Sequence, residues 1–250
     1  MAATTGRVDD RRALEIRERG ARHSIYVWEL PVRIVHWVIV LALIVLSVTG
    51  YYIHHPFVSG AGGPGHPGFT MGAIRFVHEI TGFAFTAAVL VRVYWAFAGN
   101  HFARWRSLLP LTRAQRQDLR DVVSFYALRR RRPPPTNGHN PLAGLAYLGL
   151  YLGFLLSILS GLGLFAWVSR IPAWQTLFGW TYSVLAIQQL RLLHFLLMFA
   201  FGAFTVHHVY SAMLVDIVER NGELSSIVTG YRTDLGEDVS PDDQPDRRST

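Results

Sequence analysis

The stretch "RLLHFLLMFAFGAFTVHHVYS", residues 191–211, decides the fold class. It is apolar enough to sit in lipid, yet it carries Arg191, His194, His207 and His208. An ionisable side chain at the bilayer centre costs about 2.5–3.5 kcal/mol on insertion scales, so such residues in a span mark a functional site. A membrane helix needs about 20 apolar residues. The quoted stretch belongs to a span from Ser183 to Val215, longer than a bilayer, whose ends must project. Working outward from it, three more segments qualify: Ile34–Ile53, Ile74–Ala98 and Leu142–Val168, the second interrupted by His78, Glu79 and Arg92. Trp28, Trp37, Tyr51, Tyr52, Trp95, Trp167, Trp180 and Tyr210 lie near span ends, where interfacial aromatics belong. The pattern predicts an all-α membrane protein, a bundle of four transmembrane helices.

Composition agrees. Half of the 250 residues are hydrophobic and only 16% are charged, against about 25% in soluble domains. There is no cysteine, which excludes disulfides, thiolate zinc sites and iron–sulfur clusters held by this chain. All 24 basic residues are arginine, which we read as compositional bias. The sequence pI near 10.1 does not point to nucleic acid, because the basic clusters flank apolar spans. No secretory signal is expected in "MAATTGRVDDRRALEIRERGARH", which has no apolar core.

Arginine distribution predicts orientation. Seven precede the first span and nine lie between the second and third, including "RRRR" at 129–132, whereas 54–75 and 169–183 hold one each. The positive side is cytoplasmic, so both termini are expected inside an inner (plasma) membrane. "RRRRPPP" reads as a topology anchor and stiff linker, "SGAGGPGHPGF" as an outer loop, and the acidic "DLGEDVSPDDQPDRRST" as a disordered tail. The expected division is a cytoplasmic tail over 1–33, a membrane domain over 34–215 and a cytoplasmic segment over 216–250. No internal repeat is visible.

Depth pairs the histidines. His36 is in the first turn of span one, near the inside. His78 begins span two, near the outside, and His194 is near the outer end of span four, with His207 and His208 near its inner end. Depth suggests His78 with His194, and His36 with His207 or His208. Phase separates the last two: 14 residues turn a helix about 1400°, nearly four full turns, so His208 shares a face with His194, about 21 Å along the axis. His207 falls on nearly the opposite face. Two histidines on one helix face, each with a partner at its own depth, describe two bis-histidine haem sites in a bundle core.

The other residues have plainer readings. His207 is an interhelical hydrogen-bonding residue, part of a quinone site or an alternative ligand. Gly82, Gly153, Gly161, Gly163, Gly202 and Ala203 would permit close helix or macrocycle approach. Arg75 and Arg191, each three residues before a candidate ligand, would pair with haem propionates or snorkel to the headgroups. His54, His55 and His66 are expected in the outer loop, and His23, His101 and His139 at the inner surface, all solvated. Glu79 and Arg92 carry no assigned role.

On these residues the sequence resembles a family, the membrane-anchoring b-type cytochrome subunits of respiratory nickel–iron uptake hydrogenases. The resemblance rests on "IYVWELPVRIVHW" at 25–37, "FTMGAIRFVHEITGFAF" at 69–85 and, most specifically, "HHVYSAMLVDIVERNGELSSIVTGYR" at 207–232. It implies haem b, two copies, with ligand positions at His36, His78, His194 and, by phase, His208. It implies as partners the hydrogenase small and large subunits on the outer face, the lipid bilayer and membrane quinone, with electrons leaving near the inner haem. It suggests that 216–232 meets a spanning tail of the small subunit. Two alternatives stand beside it: the cytochrome of a formate dehydrogenase or thiosulfate-reductase type complex, and a transporter that relays protons through histidines. The absence of paired intramembrane carboxylates and inverted repeats argues against the transporter.

Overall fold

The structure, a computed structural model, describes residues 23–56, 70–100, 102–107, 109, 112–127, 129, 141–219 and 222–234. His66, His101, His139, the outer-loop glycines, the linker beyond Arg129 and the acidic tail after Asp234 lie outside these residues.

Among the described residues, four long helices are apolar enough to cross a membrane. They are α1 (Leu30–His54), α2 (Thr70–Ala98), α4 (Pro141–Val168) and α7 (Ile187–Glu219). Between α2 and α4 lie a short turn of 3₁₀ helix (Trp105–Ser107) and α3 (Arg113–Tyr126). Between α4 and α7 lie α5 (Pro172–Phe178) and α6 (Trp180–Val184). After α7 come α8 (Glu223–Thr229) and β2 (Tyr231–Asp234), which pairs antiparallel with β1 (His23–Tyr26).

Sequence chemistry accounts for the ends. Pro31 sits in the first turn of α1, where its missing N–H is not needed. Span four begins at Ile187, not Ser183: Leu185 is extended (φ −120°, ψ 131°), and 180–184 is a separate turn of helix. The reason is local. Thr181 is buried with its hydroxyl donating to the Phe178 carbonyl at 2.7 Å, and Gln189 receives the Ala186 N–H at 3.1 Å, ending one helix and starting the next.

α1 lies mainly against α2, and α4 mainly against α7. The two pairs meet in a small core of Ala42, Phe85, Val89, Phe154 and Phe201. Phe85 stands edge-on to Phe154 with centroids 5.1 Å apart, and Phe154 meets Phe201 at 5.2 Å. The outward surface of the spans is apolar, with Val48 67% and Val206 73% exposed, as suits a helix whose solvent is hydrocarbon.

The end of the bundle that carries β1 and β2 is tied together by parts of the chain far apart in sequence. Glu29 accepts hydrogen bonds from the Trp95 indole at 2.8 Å and the Asn100 backbone N–H at 2.9 Å. The Asn100 side chain donates to the Val27 carbonyl at 2.9 Å. The Trp28 indole donates to Ser226 at 3.2 Å, Arg33 donates to the Val228 carbonyl, and the Val27 N–H reaches the Gly230 carbonyl at 2.9 Å. Gly230 has φ 91°, and a Cβ there would meet the Tyr26 ring at 2.6 Å. Thus "IYVWEL" and "ELSSIVTGYR", two of the blocks that carry the family resemblance, bind each other. The 223–232 segment has an internal partner, which sequence reading did not foresee.

Candidate functional site

α2 and α7 place His78 and His194 opposite one another, toward the end of the bundle away from β1 and β2. Their ring centroids are 6.3 Å apart, with planes at 74°. Each Nδ1 has a hydroxyl partner on the neighbouring helix. Thr49 of α1 lies 2.8 Å from the Nδ1 of His78, and Ser160 of α4 lies 2.9 Å from the Nδ1 of His194. The residue after each hydroxyl is glycine, and both glycines touch a ring. A Cβ at Gly50 would lie 3.1 Å from the Cε1 of His78, and one at Gly161 would lie 3.0 Å from the Cε1 of His194. Each histidine therefore sets the Nδ1–Cε1 side of its ring against a neighbouring helix that offers a hydroxyl and no side-chain bulk.

This arrangement fits an iron porphyrin. A metal–imidazole bond of about 2 Å on each side, plus about 1 Å from nitrogen to ring centre, puts two axial rings about 6 Å apart between centroids. The observed spacing meets that requirement. Both rings keep one nitrogen hydrogen-bonded to protein, as ligating histidines do.

Toward the end that carries β1 and β2, the Nδ1 of His208 lies 3.1 Å from the Tyr147 hydroxyl of α4, and its ring stacks on Phe204 at 5.7 Å. His36 lies near the start of α1. Its Nδ1 is buried without a hydrogen-bond partner among the described residues. His207 faces the other way and is exposed, with Ser211 at 3.5 Å. The structure thus brings together His78 and His194 and turns His207 outward, while the pairing of His36 with His208 is a proposal taken up below.

The remaining candidates distribute as follows. His54 closes the last turn of α1 instead of lying in a loop, and its exposed ring stacks on Phe195 at 3.7 Å. His23 is in β1 opposite Asp234. Arg75 is exposed, and Arg191 is exposed with its guanidinium 3.4 Å from Gln188. Arg92 finds a place: it donates to the Ala103 carbonyl at 3.3 Å and lies over the Tyr151 ring at 5.7 Å, a positive charge at the inner end of α2. Among the glycines, Gly153 abuts Phe201 and Gly163 abuts Thr181, while Gly82 and Gly202 have open space.

Sequence reasoning missed Thr49, Gly50, Ser160 and Tyr147. A signal was present. "TG" at 49–50 and "SG" at 160–161 each put a hydroxyl beside a glycine, at the outer depth where His78 and His194 sit.

A family model described as prokaryotic cytochrome b561 matches residues 27–230, a range that holds every residue of both histidine clusters. The chain is 38% identical over 214 residues to the probable Ni/Fe-hydrogenase B-type cytochrome subunit of Cupriavidus necator, covering 84% of this chain and 87% of that one. It is 38% identical over 215 residues to the protein so named in Bradyrhizobium diazoefficiens, with 84% and 87% covered. The probable Ni/Fe-hydrogenase 1 B-type cytochrome subunit of Escherichia coli is 36% identical over 217 residues, with 84% and 91% covered.

Proposed function

This chain belongs to the prokaryotic cytochrome b561 family, and from that premise we propose that it is a di-haem subunit that anchors a nickel–iron hydrogenase to the membrane and passes its electrons to quinone. Membership makes it a membrane cytochrome of b type, so haem b is its cofactor and electron transfer its activity. Haem b, when bound, supplies a reversible one-electron couple. The protein's part is to hold it, orient it and exclude water. His78 and His194 would hold the outer group, with Thr49 and Ser160 orienting the rings. His36 and His208 would hold the inner group, with Tyr147 behind His208. The two sites are 14 residues apart along α7, about 21 Å at 1.5 Å per residue. The layer of Phe85, Phe154 and Phe201 fills the space between them.

The carrying observation is the facing pair His78 and His194, 6.3 Å apart between ring centroids and hydrogen-bonded from behind. The hydrogenase partner and the quinone follow from the names of the relatives and from the resemblance above. Arginine-rich segments at the inner side set the orientation, with both termini in the cytoplasm and the hydrogenase docked outside. The quinone is reduced near the inner site, where electrons arriving from outside leave the chain of cofactors.

Purified protein should show low-spin b-type absorption with two haems per chain. His78→Ala or His194→Ala should remove one haem, and His36→Ala or His208→Ala the other. Four variants that all keep two low-spin haems would refute the assignment. Co-purification with the hydrogenase and hydrogen-dependent quinone reduction in membranes test the partners. A complex lacking hydrogenase but containing a formate or thiosulfate enzyme would replace that part of the reading.

A further inference from the structure

The outer site contains one device used twice. On α1 and again on α4, a hydroxyl residue followed by glycine meets the back of a histidine carried by the next transmembrane helix. The two hydroxyls come from different helices, and the histidines they touch lie 6.3 Å apart between ring centroids.

Hydrogen accounting fixes the polarity of these bonds. A hydroxyl has one proton and two lone pairs. Thr49 lies 2.7 Å from the Val45 carbonyl, and Ser160 lies 2.7 Å from the Leu156 carbonyl. A carbonyl can only accept, so each hydroxyl proton is directed at its own helix. What each oxygen turns to the imidazole is a lone pair, at 2.8 Å for His78 and 2.9 Å for His194. Nδ1 therefore donates in both rings. A neutral imidazole with its proton on Nδ1 has a bare Nε2, the form that can bind a metal.

We propose that Thr49 and Ser160 are positioning residues that hold both outer histidines in the Nδ1–H tautomer and, by accepting that proton in a hydrogen bond, lower the reduction potential of the haem between them. This rests on the reading of His78 and His194 as its axial ligands. A hydrogen bond from the far nitrogen makes an imidazole a stronger electron donor to its metal. Stronger donation favours the oxidised iron, and second-shell hydrogen bonding is one of the recognised controls on haem potential. Here both ligands are treated alike, so the two effects act in the same direction. Ser160 is 2% exposed and held from two sides, so its oxygen cannot turn away to solvent. Gly50 and Gly161 belong to the same device, because a side chain at either would push the ring off its hydroxyl partner.

The test is a redox titration of the full-length protein, followed by visible absorption and by low-spin electron paramagnetic resonance. Thr49→Val and Ser160→Ala remove the acceptors, and Thr49→Ser and Ser160→Thr keep them. Each of the first pair should raise the midpoint potential of one haem, shift its low-spin signal and leave the other haem unchanged. The double variant should shift it further. The conservative pair should titrate like the parent. Superimposable titrations and spectra for Thr49→Val, Ser160→Ala and the parent would overturn the proposal. If the non-polar variants lose a haem, retention at the parental potential in the conservative pair supports it, and loss in that pair too refutes it in favour of packing alone. Failure of the ligand assignment reads differently: His78→Ala and His194→Ala would then keep a full complement of low-spin haem.

Discussion

His207 and His208 are adjacent in sequence yet stand about 100° apart around α7, and they meet different surroundings. His208 turns inward to the Tyr147 hydroxyl at 3.1 Å and the Phe204 ring. His207 is exposed, with Ser211 one turn away. Single substitutions should therefore diverge. His208→Ala should halve the haem-to-protein ratio, while His207→Ala should leave it intact, as read by pyridine haemochrome assay. The opposite result would require α7 to be rotated in its inner half. Gly161→Ala is a finer probe at this scale. The added methyl would come within 3.0 Å of the His194 ring, so the ring must shift by a few tenths of an ångström. The outer haem's low-spin signal should move and the inner one's should not.

At the scale of elements, the clasp of β1, α8 and β2 with the ends of α1 and α2 does for α1 what its own side chains do not. α1 has no side-chain cap, and its N-cap residue Glu29 instead binds the end of α2 through Trp95 and Asn100. Glu29→Ala would leave the indole N–H and a backbone N–H without their acceptor, a loss of about 1–3 kcal/mol for each group left unsatisfied. Glu29→Gln keeps an acceptor oxygen and should cost less. Gly230→Ala would place a Cβ at φ 91° and against Tyr26, with a conformational penalty of about 1–2 kcal/mol before the clash is counted. Both should lower the midpoint of thermal haem release in detergent, Glu29→Ala more than Glu29→Gln, and neither should alter the low-spin spectrum at room temperature.

For the whole molecule, the two helix pairs are joined through Phe85, Phe154 and Phe201. Phe154 is 2% exposed and touches aromatic rings from both neighbouring helices. Large-to-small substitution of a buried aromatic costs about 3–5 kcal/mol. Because this layer lies between the two sites, Phe154→Ala should weaken both haems together, seen as one lowered transition and not as the selective loss of one haem. Membrane orientation is a property of the same scale. A cytoplasm-active reporter inserted near residue 135 should be active, and one inserted near residue 63 should be silent, if the arginine bias orients the bundle as proposed.

Much of this was legible in the sequence because membrane physics constrains it so tightly. Lipid requires long apolar helices with satisfied backbone, so four spans could be counted, and depth predicted the approach of His78 to His194 that the ring spacing shows; the pairing of His36 with His208 by depth and phase belongs to the proposed function. Apolar composition continues through the break at Leu185, so the sequence points to a start of span four near Ser183, and only the hydrogen bonds around Thr181 and Gln189 reveal the start at Ile187. Tertiary structure alone decided which groups stand behind the histidines. Thr49 and Ser160 are ordinary residues in apolar runs, and nothing local says that each hydroxyl meets a ring 29 or 34 residues away. The same holds for the clasp. Trp28 and Ser226 are separated by 198 residues, and a hydrogen bond between such positions is a consequence of the bundle closing, which no periodicity in either segment records.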